Sequence, residues 1–233
     1  MRPIYYINSE VTKTATAKLW TETLAETFHF EAKCLNIGLK SDEGNYLPDW
    51  GGINDFIEAN DVAILVIEIY DNSKIQFYLN QCRELRIPYL MLKEGQQIDL
   101  KRVALPVTFL MEEKEKGPFA SAFGRFFQSE IVFFAPNDYG SKAKTNIAAI
   151  TKLFKSFSLN YTQIQGEKNS EKVEMEATQK APANNCGLVI VTASREYGLD
   201  DIIFGPKERK IIKKAQIPVM LINPRGDLYS LCD

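Results

Sequence analysis

Two carboxylates lie where acids and bases act in many α/β proteins. Glu68 is the penultimate residue of the almost continuous apolar run 62–69, and Asp71 follows the run closely. The run is typical of a strand buried on both faces. Carboxylates at the carboxyl end of such a strand can exchange protons with a substrate. Asp71 is followed by Asn72 and Ser73, a pattern that also caps a helix, and we expect capping rather than catalysis.

A basic run near the C-terminus is a candidate anion-binding surface. It comprises Lys207, Arg209, Lys210, Lys213 and Lys214. One interpretation is a surface for an anion or an acidic partner. The other is the solvated face of a helix, because cations suit a helix C-terminus. We expect the solvated face.

The sequence offers no recognisable set of residues for catalysis by an activated nucleophile or for metal binding. The sole histidine, His29, follows a predicted helix and belongs to no recognisable nucleophile motif. The cysteines, Cys34, Cys82, Cys186 and Cys232, form no CxxC pair, so zinc ligands would have to gather from the whole chain. We therefore predict no catalytic residues and no metal site. Cys82 and Cys186 lie in apolar contexts and are predicted core thiols.

Composition narrows the class of protein. The 233 residues suffice for one large domain or two small ones, and the net charge of −2 argues against a general nucleic-acid binder. We find no signal-peptide pattern and no apolar run long enough to span a membrane. The expectation is a soluble protein of the cytoplasm that binds neither nucleic acid nor membrane.

Hydrophobic periodicity predicts alternating strands and helices. Predicted strands are 3–8, 30–37, 62–69, 87–92, 103–109, 131–135, 161–165, 188–191 and 217–222. Predicted helices are 13–28, 53–59, a segment with its apolar stripe at 75–85, 119–127, a segment with its stripe at 147–157, a solvated helix at 171–180 and the basic run. Residues 40–52 are a predicted loop, and 94–100 a predicted linker.

One pattern occurs twice. Residues 61–67 match 186–191, and each segment is followed, after a charged helix end, by an Ile-Pro strand, at 86–92 and at 216–222. The sequence therefore predicts two similar halves. The first half is shorter, and we expect it to lack one βα unit before Val62.

The second half resembles the universal stress protein family along its full length. The family's opening strand corresponds to Leu105-Pro106-Val107-Thr108-Phe109, and its closing strand to Ile217-Pro218-Val219-Met220-Leu221-Ile222. The first half is similar in order but degenerate. The resemblance implies an α/β fold of two flavodoxin-like (adenine nucleotide alpha hydrolase-like) three-layer domains with mainly parallel sheets. The predicted domains are 1–98, degenerate, and 99–233.

The family's ATP-binding members use glycines and a helix N-terminus to bring backbone N–H groups to phosphates. Here one glycine of that motif, Gly205, is present, Pro206 follows it, and Thr108 replaces the family's nucleotide-contacting aspartate. Arg195 offers a side chain for phosphate instead. In the first half, Glu68 would repel phosphate. The candidate nucleotide-binding residues, if binding is retained, are Pro106, Thr108, Thr192, Arg195 and Gly205.

Three classes of function stay open. The expectation is a non-catalytic stress-response protein with a degraded ATP motif and no cofactor, which acts through protein contacts or an unidentified small ligand. The alternative is a sensor that binds ATP or AMP in its second domain, and the third class is an enzyme. The resemblance and the repeat imply that strands 87–92 and 217–222 lie at sheet edges and pair with each other, forming an intramolecular pseudo-dimer. A homodimer of the chain is a further expectation.

Overall fold

Strands and helices alternate along the chain, as hydrophobic periodicity predicts. The computed structural model describes residues 1–10, 12–39, 45–194 and 206–225. The strands are β1 (Pro3–Ser9), β2 (Thr12–Lys13), β3 (Glu31–Ile37), β4 (Asn45–Leu47), β5 (Ile64–Ile69), β6 (Tyr89–Lys93), β7 (Arg102–Pro106), β8 (Glu130–Ala135), β9 (Tyr161–Gln165), β10 (Leu188–Thr192) and β11 (Val219–Ile222). The helices are α1 (Ala15–Phe28), α2 (Ile53–Ala59), α3 (Ile75–Cys82), α4 (Lys116–Phe126), α5 (Lys142–Ser156), α6 (Val173–Lys180) and α7 (Lys207–Lys214).

The described strands form one continuous sheet in the order β4-β3-β1-β5-β6-β11-β10-β7-β8-β9, with β2 beside β5. Strands β1, β3, β4, β5 and β6 run parallel, and so do β7 to β11. Apart from β2, each half places its third, second, first, fourth and fifth strands side by side in that order. The two halves thus share one topology, and the α/β class with mainly parallel strands is confirmed.

The two halves meet where β6 and β11 pair antiparallel, with Leu90 opposite Met220. The expected pairing of these strands is therefore present, and it places both strands at the centre of the sheet rather than at an edge. Side chains reinforce the junction. Lys93 Nζ donates to the Lys213 and Ala215 carbonyls, at 3.0 Å each, at the end of α7.

Helices cover both faces of the sheet, and each face has its own apolar core. Helices α1, α4 and α5 pack on one face, and α2, α3, α6 and α7 pack on the other. Both cores run across the two halves. On the first face, the ring of Phe28 from α1 contacts Phe123, Phe126 and Phe127, with centroids 5.2–5.7 Å apart. Continuous apolar runs such as Ile64–Ile69, buried along its whole length, fit this three-layer arrangement.

Two sequence predictions for the first half, the loop at 40–52 and the missing βα unit, are wrong. The predicted loop 40–52 contains β4, which pairs parallel with β3. Together with α2, this strand supplies the βα unit that the sequence analysis expects to be missing. The unit escapes notice because β4 has three residues and no apolar run of its own. The division into domains at residues 98 and 99 stays a prediction.

Within the described residues, we find no helix that is both long enough and apolar enough to cross a membrane.

Candidate functional site

The candidate site lies at the carboxyl ends of β7 and β10. These strands are neighbours in the sheet, although the chain passes through β8 and β9 between them. In open α/β sheets, ligands bind at this kind of switch in strand order. Thr108 follows β7, Thr192 ends β10, and both are buried. Three of the predicted residues, Pro106, Thr108 and Thr192, are thus brought to one crevice. Arg195 and Gly205 lie outside the described residues.

An ion pair fills the β7 side of this crevice. Lys116, at the start of α4, and Glu113, just before it, are both 0% exposed. Lys116 Nζ lies 2.7 Å from Glu113 Oε2 and donates to the Pro106 carbonyl at 2.5 Å. The Thr108 N–H donates to the same Glu113 oxygen at 2.8 Å. The backbone groups at the end of β7 are therefore satisfied by side chains of the protein.

A second carboxylate fills the β10 side. Glu174 from α6 accepts a hydrogen bond from the Thr192 N–H at 3.1 Å, and its other oxygen lies 2.7 Å from Lys207 Nζ at the start of α7. Lys116 Nζ lies 3.9 Å from Glu174 Oε1, the oxygen that accepts from the Thr192 N–H. Burial raises the pKa of Glu174, but the charges of Lys207 and Lys116 outweigh burial and lower it. Glu174 therefore stays ionised between two lysines.

A third carboxylate, Glu208, lies in the first turn of α7. Its Oε1 accepts hydrogen bonds from the Ser194 N–H at 2.6 Å and from the Ser194 hydroxyl at 2.7 Å. Its Oε2 is buried and has no hydrogen-bond partner among the described residues. Burial raises the pKa of Glu208 above the ordinary carboxyl value, against the lowering effect of Lys207. We call Glu113, Lys116, Glu174, Lys207 and Glu208 the carboxylate–lysine cluster.

The carboxylate–lysine cluster disfavours phosphate binding in the described part of this crevice. The N–H groups of Thr108, Thr192 and Ser194 point to carboxylates of the chain itself. Phosphates bind at strand and helix ends through such backbone N–H groups. A phosphate in this crevice would have to displace a carboxylate and lie beside the remaining ones.

The first half repeats the device in simpler form. Glu68, at the carboxyl end of β5, is 0% exposed, and its Oε2 accepts from the Ala17 N–H at 2.9 Å, in the first turn of α1. In this half too an internal carboxylate accepts from a backbone N–H group, here at a helix N-terminus. Asp71 accepts from the Ser73 N–H at 2.8 Å, and its predicted capping role is confirmed.

Four residues of the carboxylate–lysine cluster, Glu113, Lys116, Glu174 and Glu208, are absent from the candidates that the sequence indicates. The sequence predicts a solvated helix at 171–180, but in α6 the side chains of Val173, Glu174, Glu176, Ala177 and Thr178 are buried. The available signal was apolar spacing, since Val173 and Ala177 recur four residues apart.

The predicted solvated face of the basic run is present, since Lys210, Lys213 and Lys214 are exposed, but Lys207 is an exception. Lys207 is 34% exposed and pairs with Glu174. The neighbouring Glu208 and the apolar pair Ile211 and Ile212 are buried. The helix therefore has a packed face as well as a charged one.

The two predicted core cysteines and the sole histidine all lie in described parts of the chain. Cys82 and Cys186 are 0% and 3% exposed, which confirms them as core thiols. Burial raises the pKa of the Cys186 thiol to about 11, so it is protonated at neutral pH. His29 ends α1 in the left-handed conformation, with φ of 56°, and lies in the half of the chain opposite the carboxylate–lysine cluster.

Strand order, two covered faces and a switch in strand order are features of doubly wound α/β folds, and comparison with solved structures identifies the universal stress protein fold among them. A universal stress protein from Archaeoglobus fulgidus aligns with 97% of this chain and 88% of its own, at a TM-score of 0.62 and 11% identity. A functionally unknown protein from Pseudomonas aeruginosa aligns with 99% of this chain and 95% of its own, at a TM-score of 0.64 and 9% identity.

A second Pseudomonas aeruginosa protein, provisionally named a universal stress protein, aligns with 99% of this chain and 96% of its own, at a TM-score of 0.67 and 9% identity. No protein-family model and no curated protein sequence matches the chain. At these identities the comparison establishes the fold, and the predicted likeness to universal stress proteins is confirmed at that level.

Proposed function

We propose that the protein is a non-catalytic, universal stress protein-like component of a cytoplasmic stress response. It acts through protein contacts or a small ligand other than a nucleotide. The observation that supports this most directly is the carboxylate–lysine cluster. Carboxylates of the chain accept hydrogen bonds from the Thr108 N–H, just beyond β7, and from the Thr192 N–H, at the end of β10, where a phosphate could otherwise bind.

The rim of the crevice favours contact with another protein. Phe109 and Met111 follow β7, Tyr139 follows β8, and they are 43%, 60% and 111% exposed. Exposed aromatic and methionine side chains are enriched at protein interfaces. Catalysis is disfavoured because each residue of the cluster makes an ion pair or a backbone hydrogen bond within the protein, and the chain's one histidine lies in the first half.

The alternative is a nucleotide-binding stress sensor. The notable residue for it is Arg195, whose guanidinium suits a phosphate. Lys207 also supports it, because its side chain lies partly exposed at the start of α7. In this alternative a phosphate takes the place of Glu174 beside Lys207.

Thermal unfolding with and without millimolar ATP, ADP and AMP, each with Mg²⁺, separates the two. A ligand at 100 times its dissociation constant stabilises the folded state by about 2.7 kcal/mol. For a chain of this size that is a rise in Tm of about 5–10 °C. We expect no rise with any of the three.

A rise that Arg195→Ala abolishes would overturn the proposal in favour of the sensor. Steady phosphate release from ATP would point to an enzyme, whereas stoichiometric binding without turnover would not. Lys152→Met serves as the control variant, because Lys152 is exposed on α5 and distant in sequence from the crevice. It should leave every nucleotide result unchanged.

A further inference from the structure

Strand β9 forms one end of the sheet. Its only neighbour among the described strands is β8, with which it pairs in parallel from Tyr161 to Gln165 without a bulge. Three of its five residues, Thr162, Gln163 and Gln165, are exposed. The opposite end of the sheet, β4, is only three residues long. β9 is therefore the longer of the two terminal strands.

The free edge of β9 presents a defined set of backbone groups. The Ile131 N–H donates to the Asn160 carbonyl, and the Gly166 N–H donates to the Ala135 carbonyl. Because backbone groups alternate in direction along a strand, residues 162 and 164 also face β8. The N–H and C=O groups of Tyr161, Gln163 and Gln165 therefore point outward, and no hydrogen bond among the described residues satisfies them.

Nothing in the composition of β9 protects this edge. Proteins discourage edge pairing with lysine, proline, bulges or inward charges. The segment Tyr161-Thr162-Gln163-Ile164-Gln165 has none of these, and tyrosine, threonine and isoleucine favour strands.

We propose that β9 pairs antiparallel with β9 of a second copy of this chain, with the two-fold axis at Gln163. In that register Tyr161 lies opposite Gln165 of the second copy, and Gln163 lies opposite its own counterpart. These are the residues whose backbone groups point outward, so all three positions form hydrogen-bonded pairs, six bonds in total. An interface of this kind is isologous and closes as a dimer.

The charges that flank β9 and the antiparallel pairing already present in the chain favour a second copy over an unrelated strand. Beyond β9, the register places Leu159 opposite Glu167 and Ser158 opposite Lys168, so no like charges face each other. The chain already joins its own two halves through antiparallel pairing of β6 and β11. A contact centred on one five-residue strand is small, and we expect a weak, concentration-dependent dimer.

Sedimentation velocity of the full chain over a concentration series, up to roughly millimolar, tests this. We expect reversible dimerisation of the wild type. Gln163→Lys and Gln163→Glu each place like charges across the axis and should raise the dissociation constant several-fold. An equimolar mixture of the two variants restores opposite charges and should dimerise again.

A backbone variant adds an independent readout. Gln163→Pro removes an outward N–H without removing a bond to β8, and so deletes the two central hydrogen bonds of the dimer. It should weaken dimerisation at least about tenfold. Gln163→Thr keeps both the N–H and a neutral side chain and should dimerise like the wild type. Far-UV circular dichroism checks that each variant is folded.

Three results would overturn the proposal. One is a wild type that stays monomeric at the highest concentration. This holds even if the edge of β9 binds a synthetic peptide strand, because the occupant is then not a second copy. Another is dimerisation that neither the charged variants nor Gln163→Pro affects, because the dimer then uses another surface. The third is a mixture of Gln163→Lys and Gln163→Glu that dimerises no better than each variant alone. None of these results bears on nucleotide binding, so the proposed function is tested separately.

Discussion

Replacing Lys116 by methionine should destabilise the protein strongly. The Lys116 ammonium is fully buried and lies 2.7 Å from Glu113 Oε2 and 2.5 Å from the Pro106 carbonyl. Methionine keeps most of the side-chain volume but removes the charge. The Glu113 side chain is then left in the interior without its cation. Breaking a buried pair in this way costs about 3–5 kcal/mol.

A double-mutant cycle shows whether the pair is the cause. Glu113→Gln removes the carboxylate but keeps an oxygen that can accept from the Thr108 N–H. Combined with Lys116→Met, it leaves no unpaired charge at this position. The double variant should therefore be more stable than the sum of the single losses predicts, by about 2–3 kcal/mol.

The assay is urea unfolding followed by far-UV circular dichroism, with the m-value compared across variants. An exposed lysine on α5 provides the control, since Lys152→Met should change the free energy of unfolding by less than about 0.5 kcal/mol. A loss below about 1 kcal/mol for Lys116→Met would refute the reasoning. So would additive single losses, because the cluster would then not act as a unit.

Three further predictions use the same unfolding assay. Because burial raises the pKa of Glu208 above 4.5, the folded state binds this proton more tightly than the unfolded state, so stability falls as pH rises from about 4.5 through the folded pKa. Glu208→Gln should remove that part of the pH dependence, and an unchanged profile would contradict the assignment. Gly187→Ala should lower the free energy of unfolding by about 3 kcal/mol or more, because the added Cβ would lie 1.7 Å from the Asp99 carbonyl oxygen. Gly140→Ala is the control and should be nearly neutral, because the space around Gly140 is open. Lys93→Met loses two hydrogen bonds to the end of α7 and should cost about 1–3 kcal/mol; no loss would mean that these bonds do not hold the halves together.

Apolar runs made most of the fold predictable. A segment such as Ile64–Ile69, whose six residues are all buried, requires cover on both faces, and this requirement points to a parallel sheet between helices. The repeat indicated that β6 and β11 end equivalent units, and the resemblance to universal stress proteins together with the repeat implied that they pair. Strand β4 could not be found in this way, because what makes it a strand is its ladder with β3 rather than its own three residues.

The carboxylate–lysine cluster was out of reach for a different reason. Glu174 has the sequence context of a solvated helix, and its burial depends on Lys116 and Lys207, which belong to other helices. A buried charge is stable only with its partners, and those partners are defined by the tertiary fold. The crevice position, by contrast, was implied by the resemblance, because it assigned Thr108 and Thr192 to the carboxyl ends of strands, and the structure places Thr108 just beyond β7 and Thr192 at the end of β10.

The antiparallel junction of β6 and β11 gives the molecule two opposite ends. Within each half the main strands run in one direction, and the direction reverses at this junction. The crevice of the first half therefore opens at one edge of the sheet, and that of the second half opens at the other edge. The two are separated by at least the length of a strand, about 17–20 Å. The two crevices therefore face away from each other, and a small molecule that entered one would leave the other open.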